Sequence, residues 1–200
     1  MERLPTYSDA LNEMMGGGFA KGGIVEIFGD EGAGKTGLVL SLTQLNPLFF
    51  FDLDATFPVA LADAVADQQK LWVVAPPMKT ANDFMKALDQ IEGITVAFDP
   101  VGTLDKNELK ELIPLMHYKA VHNDISVIMV NHCNVLGRPN CDDTMGIYAT
   151  QRLEVRLVNE IKKKINNKTR TVGMKIAMRC IKDATGASSM QDLEEEIIWD

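Results

Sequence analysis

One stretch of this 200-residue chain leaves little freedom in how it can fold. Gly29-Asp30-Glu31-Gly32-Ala33-Gly34-Lys35-Thr36 fits the pattern G-x-x-x-x-G-K-[ST]. Ahead of it, Gly23-Ile24-Val25-Glu26-Ile27-Phe28 reads as a buried strand, and behind it Leu38-Val39-Leu40-Ser41-Leu42 continues as a helix. Such a turn can curl its backbone N–H groups around phosphate oxygens, a path that β-carbons at Gly29 and Gly34 would obstruct. Lys35 then reaches the β- and γ-phosphates, the Thr36 hydroxyl is placed to ligate Mg²⁺, and the helix N-terminus faces the anion. The expectation is a nucleotide held by Gly29, Asp30, Glu31, Gly32, Ala33, Gly34, Lys35, Thr36 and Gly37.

The rest of the chain supplies a sheet for this turn. Short apolar runs recur at 24–28, 48–53, 71–75, 94–98 and 125–131 with helical stretches between them, which suggests parallel strands covered on both faces. Phe84, Met85, Leu88 and Ile91 fall at helical spacing. So do Leu109, Leu112, Ile113 and Met116, after Asp105 and Glu108 in the spacing of a capping pair. Pro114 should kink that helix or mark a boundary within it. After Tyr148 the pattern changes. Residues 152–163 and 169–181 read as strands around Ile165-Asn166-Asn167-Lys168, a hairpin, and Glu195 to Trp199 as a last edge strand. The fold class is α/β: a mostly parallel central sheet flanked by helices, with a C-terminal antiparallel hairpin extension. One domain is expected over 1–200, divided into a lead (1–22), a core (23–148) and the extension (149–200).

In such sheets the chemistry gathers at the carboxyl ends of the strands. Ile94-Thr95-Val96-Ala97-Phe98-Asp99 is an apolar strand ending in a carboxylate, which can hold Mg²⁺ or its water opposite Thr36. Phe49-Phe50-Phe51-Asp52-Leu53-Asp54 ends in two acids on opposite sides of the strand alternation. Asp54 is the candidate to orient and deprotonate an attacking water, with Asp52 as a structural residue or substitute. The fifth strand delivers Asn131 and His132 to the same rim, where His132 can sense a γ-phosphate or serve structurally.

Composition sets the outer bounds. At 46% hydrophobic and 24% charged residues the chain has ordinary globular composition. No apolar run approaches the roughly 18 residues of a membrane span, so no membrane partner is expected. The N-terminus lacks a signal peptide's apolar core, which points to a cytoplasmic protein. Cys133, Cys141 and Cys180 fit reduced thiols there, and His132 with Cys133 and Cys141 lacks the fourth ligand of a zinc site. A net charge of −8 argues against a polycation that coats nucleic acid, yet leaves room for a local basic groove. Positive charge concentrates late, in Lys162-Lys163-Lys164, Lys168, Arg170, Lys175, Arg179 and Lys182. A solvated hairpin edge and a binding patch both remain open for it.

The order of these parts resembles the ATPase core of the RecA recombinase family. The glycine-rich lead Gly16 to Gly23 and the "IVEI" strand resemble the entry into that core. Phe51-Asp52-Leu53-Asp54-Ala55 resembles the family's strand end carrying the water-activating Glu. Val130-Asn131-His132 resembles its "INQ" sensor strand, and Tyr148 to Arg156 ("YATQRLEVR") its "YASVRLDIRR" strand. The likeness runs over residues 11–200. It implies an ATPase using ATP and Mg²⁺ that assembles on single-stranded DNA with ATP at subunit interfaces, as a filament or ring, in recombination or repair. It also implies that single-stranded DNA stimulates ATP hydrolysis.

Asp54 stands where the family has Glu, and His132 where it has Gln. Phe57 is the candidate to stack on adenine. The segment 133–147 occupies the place of both DNA-binding loops and offers Arg138 as its cation; Arg152 and Arg156 complete the expected DNA set. Arg179 and Lys182 are the candidates to reach a neighbour's phosphates. The reduced form suits a phage or other mobile genome. The alternative reading is a nucleotide-switched regulatory or assembly protein of the same fold with little DNA binding. A phosphotransferase is disfavoured, since no lid rich in arginine is present.

Overall fold

The computed structural model describes residues 2–75, 80–89, 91–166 and 168–198. Asn167 of the expected hairpin turn and Trp199 of the expected last strand lie outside the described residues. A short antiparallel ribbon, β1 (Arg3–Leu4) with β2 (Phe19–Ala20), precedes the main sheet. Among the described residues that sheet has eight strands: β3 (Ile24–Gly29), β4 (Leu48–Asp52), β5 (Leu71–Val74), β6 (Thr95–Asp99), β7 (Ser126–His132), β8 (Gln151–Ile165), β9 (Lys168–Asp183) and β10 (Asp192–Ile198). Their spatial order is β10-β9-β8-β3-β7-β6-β4-β5. Contacts from β8 through to β5 are parallel, while β8–β9 and β9–β10 are antiparallel. The fold is therefore the expected α/β sheet with an antiparallel extension.

Among the described residues six α-helices lie between the strands: α1 (Asp9–Met14), α2 (Lys35–Ser41), α3 (Val59–Val65), α4 (Ala81–Leu88), α5 (Lys106–His122) and α6 (Asp142–Tyr148). Strand alternation divides the core into two layers. Val25, Ile27, Ile128 and Val130 pack with Leu11 of α1 and with Val39 and Leu40 of α2. Ile24, Val96, Phe98, Val127 and Met129 point the other way, onto Phe84 and Leu88 of α4 and Leu109, Leu112, Ile113 and Met116 of α5. Each of these buried side chains stabilises the fold by roughly 1.5–3 kcal/mol. Their combined effect holds the strand ends, and so the loops on them, in fixed register.

Pro114 lies within α5, and the helix continues on both sides of it. Buried Leu109, Leu112 and Ile113 before it and Met116 and Ala120 after it anchor both halves to the sheet, and this outweighs one lost N–H. Asp105 caps α5 by accepting from Asn107 N, but Glu108 does not complete the box. Its carboxylate instead accepts from Ala81 N at 2.9 Å, tying α5 to the start of α4. The box that does form is Thr80 with Asp83, at α4. Finally, the segment 133–147, expected as loop, contains most of α6.

Candidate nucleotide site

The phosphate-loop segment leaves β3 at Gly29 and enters α2 at Lys35. Glycine is required twice over at Gly29. Its φ of +143° suits glycine alone, and a methyl there would collide with the Val155 carbonyl of the adjacent strand. Gly34 precedes α2 in the left-handed conformation, with φ of 84°. Lys35 is buried and folded back, its ammonium donating to Gly29 O at 3.0 Å and to Asp30 O at 2.6 Å. Burial depresses its pKa, and Asp99 opposes that shift. The loop is thus laced to its own lysine from beneath.

Parallel pairing sets β6 beside β4, with Asp99 opposite Asp52. Thr36 Oγ1 donates to Asp99 Oδ2 at 2.7 Å. Burial raises the Asp99 pKa to about 6, against the Thr36 hydrogen bond and the Lys35 charge, which lower it. A carboxylate so desolvated gains strongly from an incoming cation. The two acids at the end of β4 are used differently. Asp52 is buried and accepts from Thr56 N and Phe57 N, which fixes the turn after the strand. Asp54 is exposed, accepts from Thr56 N and Thr56 Oγ1, and lines the cleft.

That cleft has a volume of about 390 Å³ and is bounded by the loop, Asp52, Asp54, Phe57, Asp99, His132 and Met174. Phe57 lines it with its ring edge-on to Phe50, centroids 5.3 Å apart. A second cleft of about 310 Å³ shares Glu31, Asp54, Pro100 and His132 with the first and adds Thr103, Cys133 and Asn140. His132, at the end of β7, is half-buried. Burial and then the Lys35 charge lower its pKa, so the imidazole is neutral at pH 7 and acts through hydrogen bonds. Met174, which comes from β9, was not singled out from the sequence; Glu31, expected to hold nucleotide, lines both clefts.

The expected DNA set is divided by the fold. Arg138 is exposed on a tight turn where Asn134 N donates to Arg138 O, beside the exposed Val135 and Leu136. Arg152 is a correction: its side chain is buried, with Nε on Glu26 Oε2 and a terminal nitrogen on Asp142 Oδ1, both at 2.6 Å. A buried guanidinium held by the buried Glu26 and by the partly exposed Asp142 is not presented to solvent as a strand-tracking cation would be. Arg156 is exposed but bonded to Glu154 at 2.6 Å. Of the two cations expected to act on a neighbour, Arg179 pairs with Asp192. Lys182 donates to Gly146 O and Ile147 O at the end of α6, within its own chain.

Glu26 was not flagged, although a lone acid within an apolar strand is its signal. It sits opposite Arg152 in the β3–β8 register and also accepts from Asn131 Nδ2 at 2.8 Å. The same Asn131 amide donates to Asn140 O, so the network reaches from β3 to the segment before α6.

Among the described residues no helix is long and apolar enough to cross a membrane. No known family model matches the chain. It is similar to the DNA repair and recombination protein RadB of Pyrococcus abyssi, at 24% identity over 72% of this chain and 74% of that protein. RadB of Pyrococcus furiosus matches at 24% identity over 65% and 68% of the two chains. Protein RecA of Treponema denticola matches at 23% identity across the whole of this chain and 55% of its own length. The parallel sheet, the phosphate-loop motif at its rim and these relatives together make the chain similar to the RecA recombinase family.

Proposed function

We propose that the chain is a RecA-like ATPase that binds single-stranded DNA and works in homologous recombination or repair as a homo-oligomer. The observation that carries this reading is the convergence of Lys35, Thr36, Asp99, Asp54 and His132 on one cleft. The names of the relatives support the DNA process. Backbone N–H groups of the loop and Lys35 hold the β- and γ-phosphates of ATP. Mg²⁺ fits the donor set, since Thr36 and Asp99 offer hard oxygen ligands already adjacent to one another. Phosphate oxygens and water would complete its shell. When bound, the ion neutralises charge on the phosphate oxygens.

Asp54 orients the attacking water and accepts its proton. Asp52 is unsuited to that role, since both of its oxygens already accept backbone N–H groups. His132 faces the same water or the γ-phosphate as a neutral hydrogen-bonding group and passes its state to the segment 133–141, which directly follows it at the end of β7. Arg138 and Arg156 contact DNA, and Arg179 is the stronger candidate to act across a subunit interface.

Asp54→Asn should bind ATP with unchanged affinity and lose about a hundredfold or more in turnover, the scale of general-base loss. Asp99→Asn should also shift the Mg²⁺ dependence. Steady-state phosphate release with and without single-stranded DNA, beside calorimetric ATP titration, tests both. Full turnover in Asp54→Asn would remove Asp54 from the chemistry.

A further inference from the structure

Past Val155 the β8–β9 pair leaves the sheet. β8 has β3 beside it only from Gln151 to Val155, and β10 accompanies β9 only from Gly173 to Arg179. Among the described residues, 162–165 and 168–171 pair only with each other. Because β3 runs parallel to β8 and ends in the phosphate loop, this ribbon rises from the rim that carries the nucleotide site. Its base touches that site: Asp30 N donates to Val155 O at 3.3 Å, and Met174 lies against Gly34.

The ribbon is charged in an unusual way. Lys162, Lys163, Lys164, Lys168 and Arg170 place five of the chain's 20 basic residues within nine positions, with no acid among them, in a chain of net charge −8. Lys162 pairs with Glu160 at 2.7 Å. Lys163, Lys164, Lys168 and Arg170 are exposed and have no acidic partner among the described residues. The register sets Lys163 directly opposite Arg170, and Lys168 opposite Ile165, so three cations share one face. Like charges directly opposite in a ribbon destabilise it. They also lie within the Debye length of about 8 Å at physiological salt, so screening removes only part of the repulsion. Lysines do guard bare strand edges, but that role does not call for one cation facing another. A linear polyanion along the face would relieve the repulsion, and cations two residues apart on a strand stand about 7 Å from one another.

We propose that this ribbon, rather than the 133–141 segment, is the main contact with the phosphate backbone of nucleic acid, through Lys163, Lys168 and Arg170. The proposal rests on the DNA-binding reading above and assigns it a different surface. With Arg152 buried and Arg156 bonded to Glu154, Arg138 is the one DNA candidate of that reading outside the ribbon with no acidic partner among the described residues. The ribbon's base at the phosphate loop links its position to the occupied state of the nucleotide cleft.

The test uses the whole chain with ATP and Mg²⁺, and a labelled single-stranded oligonucleotide titrated across a salt series, with the matching duplex in parallel. In the variant Lys163→Gln/Lys168→Gln/Arg170→Gln, affinity at low salt should fall at least tenfold. The log–log salt slope for single strands should lessen by about 2, from roughly 0.7 per lost phosphate contact. ATP affinity and the sizing-column profile should not change. Arg138→Gln alone should change the slope by less than 1. If the native chain binds the oligonucleotide and the triple variant binds it with equal affinity and slope, the ribbon assignment is overturned while the DNA reading stands. If the native chain shows no ATP-dependent binding to either strand form, both fall. A variant that changes oligomeric size and keeps its oligonucleotide affinity would reassign the ribbon to contact between copies, and overturn the proposal.

Discussion

Lys35→Ala is expected to abolish tight ATP binding and to leave the chain folded. The two effects separate because the lysine sits between the loop and the cleft. Its ammonium donates to the Gly29 and Asp30 carbonyls, and removal forfeits two charge-assisted bonds. The same removal ends the desolvation that depresses its pKa, which offsets part of that loss. The net change in stability should be on the order of 1 kcal/mol. Nucleotide affinity has no such offset, since the β- and γ-phosphates lose their one buried cation in the loop. A loss of about 3 kcal/mol or more, a hundredfold or greater, should appear in calorimetric titration of ATP with Mg²⁺. A melting curve on the same sample should move by only a few degrees. Lys35→Arg should recover little, because a planar fork cannot occupy the space of a compact ammonium under the loop. Unchanged affinity in Lys35→Ala would move the phosphate site away from this loop.

The sequence carried the strands and the loop because those signals are local. The apolar runs at 24–28, 94–98 and 125–131 fall within one residue of β3, β6 and β7 at either end. Glycine and lysine spacing announced the turn without reference to any partner. What depended on pairing was not legible. The alternation in Gln151-Arg152-Leu153-Glu154-Val155 says that Arg152 lies opposite Leu153 and Val155 across the strand, but not which strand lies beside it. Only the parallel register that sets Glu26 against Arg152 shows that this arginine faces a buried acid and the ring of Phe28, 5.1 Å away. Resemblance suggested a DNA cation there, and the register made it a core residue. Asp105 with Glu108 was similarly ambiguous. Their spacing permits a box, and the unseen start of α4 drew the Glu108 carboxylate away. The ribbon lysines were visible as charge, but the opposition of Lys163 and Arg170 needed the hairpin register.

Arg152→Ala is expected to destabilise the fold by about 3–5 kcal/mol, the usual loss when one member of a buried ion pair is removed. For a chain of this size that corresponds to a fall of roughly 10 °C in melting temperature. The reason lies in Glu26, which is fully buried and keeps only the Asn131 amide once the arginine is gone. Burial already raises the Glu26 pKa above its ordinary value, with Arg152 as the leading opposing influence. Loss of Arg152 raises it further. A carboxyl with a raised pKa in the folded state binds its proton more tightly there than in the unfolded chain. Its contribution therefore favours folding as pH falls through the folded value, and that advantage is lost as pH rises above it. The deficit of Arg152→Ala should accordingly be largest near pH 7 and shrink on acidification towards the ordinary carboxylate range. Glu26→Gln added to Arg152→Ala should restore part of the lost stability at pH 7, because the uncompensated charge is gone and the amide can still meet Asn131. Thermal melts of the wild type, both single variants and the double variant at pH 5 and pH 7 form a cycle that reads the coupling directly. Equal melting temperatures for Arg152→Ala and the wild type would mean that the guanidinium is not held in the core, and would return Arg152 to the surface cations available for DNA.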